Sequence, residues 1–105
     1  MNNYIFPMVA RRIPNIIDTA KTYGVTYLKL IGSATTSYFR MFHSDIDLVY
    51  TIQDKELEAQ FQSDIFDIVN ECLEGDDSEA WSPNIDFLNT DKFEHMKSEP
   101  GVILI

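Results

Sequence analysis

Ser44-Asp45-Ile46-Asp47-Leu48-Val49-Tyr50-Thr51-Ile52 is the stretch that decides the fold class. From Ile46 onward the run is apolar and β-branched, so it reads as a strand with Asp45 and Asp47 at its start. Residues two apart on a strand share a face, separated by about 7 Å along it. Two like charges held there repel each other unless a cation joins them. Upstream, Val25 to Ile31 reads as another strand and is broken by Gly32-Ser33. Downstream, Asn84-Ile85-Asp86-Phe87 places a third carboxylate in a short strand-like run over Ile85–Leu88.

Helical periodicity fills the gaps between these strands. Val9, Ile13, Ile16, Ile17 and Ala20 fall on one face of a helix over about residues 8–23. Pro14 either kinks this helix or sits in the first turn of a second one, and Gly24 is a plausible stop. Residues 34–41 read as a short helix following the Gly-Ser turn. Asp54 stands where an N-cap belongs, ahead of Leu57, Phe61, Ile65, Ile68, Val69 and Cys72 at helical spacing, with Gly75 as the stop. A short helix over Asp91–Lys97 and a last strand over Val102–Ile105 complete the chain. This alternation implies an α/β chain forming one domain over residues 1–105.

Composition narrows the function. The 45% hydrophobic fraction supports a single core. No apolar stretch reaches the roughly 18 residues needed to span a bilayer, and no signal peptide is evident, so no membrane role is expected. The lone cysteine, Cys72, excludes an internal disulfide and fits a cytoplasmic protein, with the thiol packed in the core. The net charge of −9 is unevenly spread: residues 1–44 hold five basic side chains and one acid, and residues 45–105 hold three basic side chains and sixteen acids. Such an acidic balance disfavours nucleic acid as the ligand, because phosphate neutralisation dominates that kind of binding. The acids of Glu74-Gly75-Asp76-Asp77-Ser78-Glu79 lack the alternation of an EF-hand and read as a solvated loop.

The ordered set has a chemical logic. A Gly-Ser turn lets backbone approach a ligand, and a helix beginning just after it would aim free N–H groups at a phosphate. Ser33 adds a hydroxyl. Asp45 and Asp47 offer hard oxygen ligands suited to Mg²⁺, which would neutralise charge developing during phosphoryl transfer, and Asp86 could join a second ion and act on an attacking hydroxyl.

Gly32-Ser33 and Asp45-Ile46-Asp47-Leu48, with eleven residues between Ser33 and Asp45, resemble the signature of the DNA polymerase β-like nucleotidyltransferase superfamily. Asp86 resembles that family's third carboxylate, and the chain's size resembles the minimal nucleotidyltransferases. The resemblance implies a small mixed sheet with helices mainly on one face. It also implies Mg²⁺-dependent transfer of a nucleoside monophosphate from a nucleoside triphosphate such as ATP to a hydroxyl, with two Mg²⁺ ions. Asp45, Asp47 and Asp86 would be the catalytic metal ligands, and Gly32, Ser33 and Arg40 would bind the triphosphate. Many such proteins are antitoxins of toxin–antitoxin pairs, so a helical HEPN-type toxin is the implied protein partner and acceptor. The alternative is a non-catalytic antitoxin of the same fold that inhibits a partner by binding alone. One segment departs from the family pattern: Ala34 to Ser44 contains no glycine, carries Arg40 late and is about one residue longer than the expected spacing.

Other candidates have plainer readings. His43 and His95 read as exposed or structural. Trp81 is expected to pack a loop onto the core, and Phe39, Met41 and Phe42 to pack within it.

Overall fold

The computed structural model describes residues 4–71, 73 and 81–105. Cys72, Gly75 and the acidic loop from Glu74 to Glu79 lie outside the described residues.

The described residues form an α+β fold built on one mixed four-stranded sheet. Its strands are β1 (Val25–Ile31), β2 (Ile46–Ile52), β3 (Ile85–Asn89) and β4 (Gly101–Ile103), in the spatial order β3-β2-β1-β4. β1 pairs antiparallel with both β2 and β4, and β2 pairs parallel with β3. The helices are α1 (Pro7–Ala10), α2 (Ile13–Thr22), α3 (Glu58–Val69) and α4 (Thr90–Phe93).

Strand alternation divides the sheet into two faces. Ile46, Leu48, Tyr50 and Ile52 of β2, with Leu28 and Leu30 of β1, join one buried cluster with Ile16 and Ala20 of α2 and with Phe61, Ile65 and Val69 of α3. Phe61 is central to this cluster, its ring centroid lying 5.1 Å from Tyr50, 6.3 Å from Phe87 and 6.2 Å from Tyr23. The other face carries Asp47, Val49 and Thr51 from β2. It is covered in part by α4 and the 3₁₀ turn Glu94–Ser98: Thr51 and Thr90 share a 2.6 Å hydroxyl contact, and Lys29 Nζ donates to the Lys97 carbonyl at 2.8 Å.

Pro14 opens α2 in its first turn, so the interrupted periodicity resolves into two helices. Past the end of α2, Gly24 takes a positive φ of 72°, open to glycine without steric cost. Asp54 caps a 3₁₀ turn, Lys55–Leu57, by accepting from the Glu56 N–H, and α3 proper starts at Glu58. That extra turn leaves Leu57 exposed rather than in the core. β3 runs one residue further than its apolar run, to Asn89, whose side chain caps α4. β4 begins at Gly101 and ends at Ile103.

The largest difference concerns residues 34–41, which form no helix of the expected kind. Gly32–Thr35 make one 3₁₀ turn, closed by Thr35 Oγ1 donating to the Gly32 carbonyl and by Thr36 donating to Ser33. Hydroxyl groups at both positions satisfy the carbonyls that would otherwise carry a helix forward. The chain then bends. Phe39 is buried against Phe6 and Trp81, whereas Tyr38 and Phe42 are 83% and 66% exposed. Trp81 itself is buried, with the Arg12 guanidinium 5.0 Å above its ring and Arg12 Nη2 donating to the Glu71 carbonyl at 2.7 Å. Phe61→Ala should therefore lose about 3–5 kcal/mol of stability in urea unfolding, the usual cost of truncating a fully buried aromatic; a loss under about 1 kcal/mol would contradict its central place in the core.

Candidate active site

Strand register brings the acids together. In the parallel β2–β3 pair, Asp47 is the direct partner of Asp86, so the two carboxylates leave the same face of adjacent strands. Asp45 lies just before β2 and is exposed, as is Asp86, while Asp47 is half-buried. On the other flank Asp47 pairs with Ile31, the last residue of β1. Gly32 follows with a φ of 76°, and a methyl group built on it would fall on the Asp47 carboxylate. Glycine is thus needed there twice over, for its backbone conformation and for the room it leaves the acid.

This environment changes the acid's titration. Asp47 is pushed up to about 7: burial is the largest cause, then the hydrogen bond it shares with Asp86, then the negative charges of Asp86 and Asp45. Every cause acts in the same direction. Asp47 behaves as an acid surrounded by acids, in a position where a cation would be strongly favoured.

The remaining candidates are distributed around this pair. Ser33 is half-buried in the 3₁₀ turn beside Gly32, with its carbonyl already accepting from Thr36. Arg40 is exposed on the bent segment, where its backbone N–H donates to Ser44 Oγ at 2.9 Å and its carbonyl accepts from His43 and Ser44. The charges that raise Asp47 are those of Asp86 and Asp45. Among the described residues no three His, Cys, Asp or Glu side chains are gathered as closely as a ready-made ligand set. His43 and His95 are both exposed.

A cleft of about 180 Å³ opens next to Asp45, between the Met41–Ser44 segment and Ser82-Pro83-Asn84. The second of these walls was not singled out in the sequence. A signal for it existed: Asn84 immediately precedes the strand that carries Asp86, and its carbonyl accepts from Ile46 N–H at 2.9 Å, tying the two strand entrances together. The exposed ring of Phe42 stands on the other wall.

Chemically, two facing carboxylates with a third charge alongside can hold a divalent cation or exchange a proton with a bound hydroxyl. No family model, curated protein or solved structure matches this chain.

The raised acid has a consequence for stability. The folded chain holds the Asp47 proton more tightly than the unfolded chain, where an aspartate titrates near about 3.9. Its contribution is therefore fully present below that value and is lost as pH rises through about 7. In the absence of divalent cations, thermal unfolding should show stability declining from about pH 5 to about pH 8, and Asp47→Asn should flatten that decline while leaving the protein at least as stable at the upper end. A decline of equal slope in the variant would show that Asp47 does not cause it.

Proposed function

We propose that the protein is a Mg²⁺-dependent nucleotidyltransferase whose active site is built on Asp47 and Asp86, with Asp45 beside them. The observation that carries this reading is the direct register of Asp47 against Asp86, in surroundings that oppose the ionisation of Asp47 from every side. The donor set fits the ion: carboxylate oxygens are the ligands that Mg²⁺ prefers, and the repulsion within the group is what a divalent cation relieves. When bound there, Mg²⁺ would supply charge neutralisation at the triphosphate.

The residues' own parts follow from their positions. Asp45 and Asp47 hold the ion from the start of β2. Asp86, the most open of the facing pair, takes the proton from the acceptor hydroxyl. That oxygen forms a bond to the α-phosphorus, the bond from the α-phosphorus to the bridging oxygen breaks, and pyrophosphate leaves with the electron pair. Gly32 keeps the space above Asp47 clear, and the Ser33 hydroxyl is available to a phosphate oxygen. The acceptor hydroxyl in this reading is carried by a protein partner, as in a toxin–antitoxin pair.

A second reading is supported by the Ala34–Ser44 segment. A single 3₁₀ turn replaces the expected helix after Gly-Ser, and Tyr38 and Phe42 project from the bend. A protein that blocks a partner by contact alone would need such a surface and would not need a phosphate-binding helix. Ligand linkage separates the readings. Nucleoside triphosphate with Mg²⁺ should raise the melting temperature by several degrees, with no rise for Asp47→Asn. Intact-mass spectrometry of the protein mixed with its physiological partner should show a Mg²⁺-dependent gain of one nucleotide on the partner. A stable complex with no mass gain, alike for wild type and Asp47→Asn, would establish the contact inhibitor instead.

A further inference from the structure

The larger cavity lies elsewhere, at the opposite end of β2 and β3. It measures about 480 Å³ and opens between the start of α3 and α4. That size is within the range of small-molecule sites. Asp47 and Tyr50 are three residues apart on β2 and face opposite sides of the sheet, so this cavity is separate from the carboxylate pair.

Its lining is a fixed array. Phe87 and Phe93, both half-buried, supply the aromatic surface, and the fully buried Tyr50 ring packs behind Phe87, centroids 6.2 Å apart and nearly perpendicular. The Tyr50 hydroxyl donates to Glu58 Oε2, Asn89 Nδ2 donates to the same oxygen, and Gln62 Nε2 donates to the Tyr50 hydroxyl at 2.7 Å. Glu58 is held ionised: the Tyr50 hydrogen bond lowers its carboxyl most, with Asn89, Lys55 and Lys92 helping against partial burial. Two acceptor oxygens remain uncommitted among the described residues, Glu58 Oε1 and Gln62 Oε1. At the rim, Lys55 is paired with Asp91, whereas Lys92 makes no ion pair among the described residues.

We propose that this cavity is a second ligand site, taking a flat, nitrogen-rich heterocycle that carries an anionic group. The heterocycle's N–H edge meets Glu58 Oε1 and Gln62 Oε1, its face lies against the half-buried Phe87 ring, and its anion meets Lys92. Each requirement comes from a different part of the lining. An uncommitted carboxylate oxygen calls for donors, aromatic walls call for a planar body, and a lone rim cation calls for an anion. A simple amine meets only the first, and inorganic phosphate only the last. A purine nucleotide meets all three.

Guanosine 5′-monophosphate is the probe, titrated into the full chain with a chelator present so that the Asp47 site holds no metal. Calorimetry should give saturable binding, and amide resonances of Ala59, Phe87 and Asn89 should shift. Guanosine should bind about tenfold more weakly, and ribose 5-phosphate should not bind measurably. Lys92→Ala should bring the nucleotide down to the affinity of the nucleoside, and Asp47→Asn should leave all three values unchanged. Lys92 is exposed, so its removal leaves the fold intact and the comparison readable. Absence of binding at millimolar nucleotide, equal affinity for ribose 5-phosphate, or loss of binding in Asp47→Asn would each overturn the proposal. The carboxylate-pair reading would be untouched by the first two of these results.

Discussion

The parallel pairing of β2 with β3 is the constraint on which the candidate site depends. A slip of one residue in that pairing would send Asp86 to the opposite face from Asp47, into the place that Phe87 holds beside Leu48 and Phe61. The register is held by apolar pairs on the helix face, Ile46 with Ile85 and Leu48 with Phe87, and by the Ile46 N–H bonded to the Asn84 carbonyl. Core packing thus sets a carboxylate against a carboxylate, at an energetic cost that appears directly as the raised acid of Asp47. Groups forced together in this way are characteristic of sites rather than of surfaces.

The sheet separates tasks by face and by end. Its helix face carries most of the buried cluster, with Phe61 linking α3 to both β2 and β3 through aromatic contacts. Its other face is covered by α4 and the turn after it at one end, and carries Asp47 and Asp86 at the other. The hydrogen-bonded group of Tyr50, Glu58, Gln62 and Asn89 fastens α3 to the carboxyl ends of the parallel strands. It resembles the acid pair in being polar and partly buried, yet differs electrostatically. Glu58 is surrounded by donors and two lysines and stays charged, whereas Asp47 is surrounded by acids and keeps its proton to higher pH. The same side-chain chemistry is driven in opposite directions by its neighbours.

Strands β1 and β2 were legible to the residue, because β-branched runs bounded by glycine or aspartate leave little else to form. The ambiguity at Pro14 resolved toward two helices, as proline prefers a first turn to a helix interior. Residues 34–41 depart from the expected helix for a local reason: Thr35 and Thr36 hydroxyls cap the turn at Gly32 and Ser33, and no apolar periodicity exists to overrule them. The aromatics Tyr38, Phe39 and Phe42 could not be sorted by composition, since the burial of Phe39 depends on where Phe6 and Trp81 fall. Asp45, Asp47 and Asp86 were recognisable as a set, but their geometry needed the register. The Tyr50–Glu58 cavity gave no motif at all, because its residues come from β2, α3, β3 and α4 and only the fold brings them together. Among the described residues no helix is long and apolar enough to cross a membrane.

The most direct test of the central claim is paramagnetic relaxation by Mn²⁺, which substitutes for Mg²⁺ at oxygen sites. Substoichiometric Mn²⁺ with nucleoside triphosphate should selectively broaden the amide signals of Gly32, Ser33, Asp45 to Asp47 and Ile85 to Phe87, and Asp47→Asn should abolish that pattern. Broadening centred instead on Glu58 and Asp91, or spread evenly over the acidic surface in wild type and variant alike, would contradict a metal site at the Asp47–Asp86 pair.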